Sequence, residues 1–117
     1  VPISALAGAI HYAREQITAF DLTGGVLGHV GDGNFHAILM VNMDDADEVR
    51  RANEFNEALV MYALNKKGTC TGEHGVGVGK QKYQEIEHGA AYVVMQQLKR
   101  TLDPNNILNP GKIVKVV

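Results

Sequence analysis

The 117-residue sequence has one cysteine, three prolines and no long apolar run. A single cysteine excludes an internal disulfide and any zinc site built on several thiolates, and it suits a reducing compartment. The longest unbroken apolar stretch covers residues 58–64. That is far short of the roughly 20 residues a membrane-crossing helix needs, so no transmembrane segment is expected. No basic stretch followed by an apolar one opens the chain, so no secretory signal is expected. A basic excess is also lacking. Eleven Lys and Arg against thirteen Asp and Glu leave a formal charge of −2, which argues against a nucleic-acid partner. There is no repeat, low-complexity tract or long charge run. The chain opens at Val1 in a Val-Pro-Ile stretch that reads like the tail of a strand, and we expect a piece of something larger.

What is present fits one globular domain: 45% of residues are hydrophobic and 21% charged, enough to build a core and solvate its surface. Three stretches carry a helical period. The first covers residues 4–21, with Leu6, Ile10, Ala13 and Ile17 on one stripe, Ser4 as N-cap and Gly24-Gly25 as the stop. The second covers 44–67 on Val49, Ala52, Phe55, Leu59 and Ala63; acidic residues crowd its start and Lys66-Lys67 its end, and Gly68 is placed to take a left-handed C-cap. The third covers 80–102 on Ile86, Ala90, Val94, Leu98 and Leu102, and stops at Asp103-Pro104 because the residue before proline is pushed out of helical geometry.

Between the first two helices, two apolar runs flank Asp32-Gly33, a preferred centre for a two-residue type I′ hairpin turn. That turn pairs residues whose numbers sum to 65, so Val30 faces Phe35 and His29 faces His36. Both faces of the hairpin are apolar, which predicts an interior position. A further strand is expected at residues 112–116. The order predicts an α+β fold, helices packed on an antiparallel sheet.

The register brings chemistry with it. Opposed residues share a face with Cβ atoms about 4.5–5.5 Å apart, so the two imidazoles can offer one nitrogen each to a single metal ion. A third ligand is needed. The candidate segment is Gly68-Thr-Cys-Thr-Gly-Glu-His-Gly-Val-Gly-Val-Gly79, whose five glycines suggest unusual backbone conformations or close approach to a ligand. Glu73 with His29 and His36 makes a two-histidine, one-carboxylate set that leaves coordination positions open, as catalysis requires. Against this stand plainer roles: hydrogen-bonded strand histidines, Glu73-His74 as a polar loop, Cys70 as a small buried filler, and His11 and His88 as helix-surface or packing residues. The glycine run is not a P-loop, because His74 stands where its first glycine must be and Gln81 where its Ser/Thr must be. It is not a dinucleotide fingerprint either, since no βαβ unit surrounds it. It leads into the N-terminus of the third helix, a place that stabilises anions such as a carboxylate.

Three motifs in order, Gly28-His-Val-Gly-Asp-Gly-Asn-Phe-His36, Gly68-Thr-Cys-Thr-Gly-Glu-His-Gly-Val-Gly77 and Leu102-Asp-Pro-Asn-Asn-Ile-Leu-Asn-Pro-Gly-Lys112, resemble the C-terminal part of FAD-linked 2-hydroxy acid dehydrogenases. These are of the D-lactate dehydrogenase (cytochrome) and glycolate oxidase large-subunit type, in the vanillyl-alcohol oxidase superfamily. The Thr-Cys-Thr-Gly-Glu-His wording is most similar to the D-lactate branch. The resemblance spans essentially the whole chain. It implies that residues 1–117 are the C-terminal part of a ferredoxin-like substrate (cap) domain, with the FAD-binding domain absent from this chain. It also implies a divalent metal (zinc or manganese) on His29, His36 and Glu73, a catalytic base at His74, substrate contact at Asn34 and a flavin-side place for Asn109. A turn role rivals the last two. The implied partners are a small 2-hydroxy acid, the FAD domain of the same protein, a cytochrome, quinone or flavoprotein as electron acceptor, and a second copy of the chain. The implied location is the cytoplasm or the inner-membrane periphery, or the mitochondrial matrix in a eukaryote. The isolated chain is expected to be inactive. The rival reading is a non-enzymatic divalent-metal-binding or interaction module.

Overall fold

The structure is a computed structural model that describes residues 1–115. The chain divides into two compact units, Val1–Thr69 and Cys70–Val117.

The first unit contains α1 (Ile3–Ala19), β1 (Thr23–His29), β2 (Asn34–Met40) and α2 (Ala46–Asn65). The first helix buries Leu6, Ala9, Ala13 and Ile17, close to the expected stripe, with Ala9 replacing Ile10 as the buried member of its turn. Pro2, not Ser4, sits at its N-cap, without a side-chain cap bond. The second helix starts with Asp45 as N-cap, whose carboxylate accepts from the Asp47 and Glu48 amides, a cap of about 1 kcal/mol. At its other end the expectation is corrected. Lys67, not Gly68, takes the left-handed conformation (φ 60°). Lys67 N–H donates to Leu64 O and Gly68 N–H to Ala63 O, both at 2.9 Å, the two bonds of a Schellman ending. A Cβ on Gly68 would lie 2.9 Å from Ala63 O, so the glycine is used for closeness.

Ile17, Leu22 and Phe55 form the core of this unit, with Phe20, Val26, Ala37, Leu39, Ala52 and Leu59 packed around them. Phe20 meets Phe55 edge-on at 6.5 Å. Burying a side chain such as Phe55 contributes roughly 1.5–3 kcal/mol. Arg51 joins the elements: its guanidinium donates to Phe20 O at 2.7 Å and to Asp21 O, while Nε reaches Asp47 at 3.0 Å. This fixes the turn that feeds β1.

The strands pair antiparallel, but in a different register. Paired residues sum to 63: His29 faces Asn34, Leu27 faces His36 and Gly28 faces Phe35. A type I′ turn needs positive φ at both Asp32 and Gly33, and Asp32 is not among the positive-φ residues. Instead residues 30–32 form one 3-10 turn closed by Gly33 N–H to Val30 O at 3.3 Å, and Gly33 alone is left-handed (φ 70°). The loop is therefore four residues long. The expected interior position also fails for one face. Val26, Ala37 and Leu39 turn toward the core, but Leu27, Ile38 and Met40 on the other face are 57%, 52% and 71% exposed.

The second unit contains a 3-10 turn (Gln81–Tyr83), α3 (Gln84–His88) and α4 (Ala91–Leu102). The single expected helix is thus broken. Gly89 adopts φ 51°, ψ −127°, a conformation closed to other residues, and the chain restarts at Ala91. The predicted stripe does not form a core: Ile86, Val94, Leu98 and Leu102 are exposed, and Tyr92 is the buried residue of α4. The expected C-terminal strand is absent across residues 112–115, and Val116 lies outside the described residues. Ile113 sits at φ 62°, which breaks an extended run. Lys115 N–H instead donates to Tyr92 Oη at 3.0 Å, and Gln96 Nε2 donates to Lys115 O at 2.7 Å. The fold is α+β, with two strands among the described residues.

Candidate functional site

The predicted site residues fall in both units. In the first, His29 closes β1 and His36 is the third residue of β2. The two-residue slip in register makes them diagonal instead of directly opposed. Because side chains alternate with a period of two, the slip leaves both on the same face. Their rings meet edge-to-face, with centroids 5.9 Å apart and planes at 83°. That spacing fits two imidazoles that each turn a nitrogen to one ion at about 2.1 Å. Asn34 stands on this face too, across from His29.

In the second unit, residues 70–79 form an irregular segment. The Glu73 and His74 side chains lie together, Oε1 and Nε2 being 3.6 Å apart, and His74 is largely exposed. An exposed imidazole beside a carboxylate has the chemistry of an oriented general base. The segment is held at its root by Cys70. The Cys70 N–H donates to Glu87 Oε2 at 2.9 Å, and Gln84 Nε2 donates to Cys70 Sγ at 3.2 Å. Further on, Thr71 Oγ1 donates to Gly75 O at 3.1 Å, and Ile113 N–H donates to Gly77 O at 2.9 Å. Cys70 is buried, as expected of a filler. Burial, reinforced by the Glu87 carboxylate, pushes its thiol up to about 11, so it stays protonated at neutral pH and is no nucleophile. The anion site expected at the head of the third helix has little physical basis: α3 is only five residues long, too short to build an appreciable dipole.

Asn109 takes a left-handed conformation (φ 48°), and its carbonyl accepts from Lys112 N–H at 3.3 Å. With Pro110 next and Gly111 at φ 69°, the four residues form a type II turn, so the turn role is realised. Three polar residues that organise these segments were not singled out from the sequence, Thr71, Gln84 and Glu87, and a fourth, Asp103, was read only as a helix stop. Only Asp103 carried a usable signal, an acid at a helix end before proline. His11 pairs with Glu15 on the surface of α1 at 3.1 Å, and His88 ends α3, consistent with surface roles.

The family described as FAD linked oxidases, C-terminal domain, matches residues 1–113. The chain belongs to that family. A protein of Danio rerio named "Probable D-lactate dehydrogenase, mitochondrial" is 45% identical over 117 residues, covering 99% of this chain and 24% of that protein. The Arabidopsis thaliana D-lactate dehydrogenase (cytochrome), mitochondrial, is 46% identical over 115 residues, covering 97% of this chain and 20% of its own length. Glycolate oxidase subunit GlcD of Bacillus subtilis is 35% identical over 114 residues, again 97% of this chain and 24% of that protein. This FAD-oxidase domain thus spans a quarter or less of each of these relatives. Among its described residues, no helix is long and apolar enough to cross a membrane.

Proposed function

We propose that this domain is the C-terminal part of the substrate (cap) domain of an FAD-dependent D-2-hydroxy acid dehydrogenase, D-lactate-like in substrate. The reaction oxidises the hydroxy acid to a 2-oxo acid, with FAD bound mainly by a separate domain of the same protein. The observation that carries the reading is that two relatives named as D-lactate dehydrogenases are about 45% identical over nearly the whole chain, including the stretches that hold the three motifs. In support, the two histidines of the first motif lie side by side on one face of the hairpin. His29, His36 and Glu73 would hold a divalent ion, zinc or manganese, their imidazole and carboxylate donors suiting either. Bound there, such an ion would supply Lewis-acid polarisation of a substrate hydroxyl, and FAD would supply the hydride acceptor. The chain's own part is binding and proton transfer. His74 takes the hydroxyl proton on a ring nitrogen, and Glu73 beside it keeps that ring oriented. Asn34 would hydrogen-bond the substrate, and Asn109 would line the flavin side from its turn. The electron acceptor would be a cytochrome, quinone or flavoprotein, and the names of several relatives favour a mitochondrial setting in a eukaryote.

The test uses the full-length protein. Prepared without chelator, it should contain one divalent ion per chain. His36→Ala with Glu73→Ala should lose the ion, and retention would remove the metal assignment. His74→Ala should keep metal and FAD and lose about 10²–10⁴-fold in turnover; unchanged turnover would remove the base role. Full-length protein without flavin, yet with the ion, would support the non-enzymatic module instead.

A further inference from the structure

We propose that Glu87, with Gln84 beside it on α3, is a positioning residue that clamps the root of the Glu73–His74 loop and so fixes where the His74 imidazole stands. The proposal rests on the catalytic reading of His74 above.

Gln84 and Glu87 are three apart on α3 and therefore share a face. Gln84 is 2% exposed, and the Glu87 side chain is 12% exposed. Both reach Cys70, and Glu87 Oε1 also stands 3.9 Å from His88 Nε2. Glu87 Oε2 accepts the Cys70 amide proton at 2.9 Å, and Gln84 Nε2 donates to the Cys70 sulfur at 3.2 Å. A carboxylate on a backbone N–H makes a bond about twice as strong as a neutral one, and keeping that charge largely out of water costs free energy that a merely filling residue would not require. The grip falls three residues before Glu73 and four before His74. From there the Thr71 hydroxyl closes a five-residue loop onto Gly75 O, with Glu73 and His74 between. On the far side, the N–H of Ile113, the residue after the third motif, holds Gly77 O. Glu73 and His74 are thus carried on a segment fixed at its root, waist and exit. The strongest of these bonds is the one to Glu87. A base displaced by about 1 Å loses up to 10²-fold in rate, so the clamp acts on turnover more than on substrate affinity.

The experiment compares Glu87→Ala with Glu87→Gln in the full-length protein. The glutamine keeps a carbonyl oxygen to accept the Cys70 amide. Glu87→Ala should lower kcat about ten- to hundred-fold, with KM within about three-fold, FAD content unchanged, and faster amide exchange across residues 70–77. Glu87→Gln should restore kcat to within about three-fold and restore the exchange protection. Parent kcat with parent exchange in Glu87→Ala would overturn the proposal, and so would a glutamine variant as impaired as the alanine one. If Glu87→Ala does not fold, Gln84→Met serves in its place. It should lower kcat about three- to ten-fold and loosen the same amides; parent values for both would overturn the clamp. His74→Ala is the control for the underlying reading. If it keeps parent turnover, the catalytic assignment falls and exchange alone decides: protection lost in Glu87→Ala and kept in Glu87→Gln upholds the clamp, and protection unchanged in both overturns it.

Discussion

At the end of α4 the buried Asp103 carboxylate accepts the Ile107 amide at 3.0 Å and the Leu108 amide at 2.9 Å, and it pairs with Lys99. Lys99 also donates to Leu108 O, so two side chains one helical turn apart tie the third motif back onto the helix. The Lys99 ammonium, helped by the two amides, holds the Asp103 carboxyl below its ordinary value, near 3.9 in an unfolded chain. The sign follows from linkage. The unfolded state takes up this proton first, so the stability Asp103 confers is complete well above pH 4 and is lost as pH falls through the lower folded value. We expect amide protection across residues 105–109 to fall as the pH drops below about 4 in the parent, and Asp103→Asn to show weak protection there already at pH 7. A flat parent profile would remove the role. Sequence reading marks Asp103 only as a helix stop, because nothing along the chain shows which amides a carboxylate will meet four and five residues on. His29 and His36 are legible for the opposite reason: strand parity survives an error of two in register.

The hairpin and the third helix show where reading elements from sequence succeeds and fails. Periodicity located both strands of the hairpin and α1 and α2, since each has a face that must be buried. The Asp32-Gly33 pair suggested the wrong turn because the dipeptide is compatible with two loops. A four-residue loop asks positive φ of Gly33 alone, whereas the two-residue one asks it of Asp32 as well. The helical period runs across Gly89 without a break, yet its backbone takes a conformation only glycine adopts freely. The observed register makes a sharp prediction at Gly28. A Cβ there would lie 2.4 Å from Asn34 O and 2.5 Å from Phe35 Cα, whereas one on Gly31 would meet nothing within 4 Å. Backbone atoms cannot give way as a flexible side chain can. Gly28→Ala should therefore cost about 1–3 kcal/mol, and Gly31→Ala should stay within roughly 0.5 kcal/mol of the parent. Denaturant unfolding measures both. Equal stabilities would mean that Gly28 does not face the Asn34–Phe35 backbone.

On the scale of the molecule, the domain covers a quarter or less of its relatives, and several large apolar side chains lie exposed on it. The α4 residues Val94, Leu98 and Leu102 follow a four-residue spacing on one stripe, and Ile107 and Leu108 come soon after the helix in the chain; all five are more than half exposed. The helical pattern marks that stripe as a face for burial, and among the described residues it is exposed. A contiguous apolar patch on a free chain drives association, because water is released when two such patches meet. The isolated 117-residue chain should therefore sediment as a mixture of monomer and larger species that shifts with concentration. Leu98→Lys with Leu102→Lys should move it toward monomer. Neither side chain fills a core, so the double variant should leave no cavity and change unfolding free energy by less than about 1 kcal/mol. Sedimentation velocity and denaturant unfolding on the same preparations separate the cases. If the charged variant associates as strongly as the parent, the contact lies elsewhere, and the exposed outer strand face with Leu27, Ile38 and Met40 becomes the next surface to alter. If it monomerises but unfolds easily, Leu98 and Leu102 are part of a core instead of a surface.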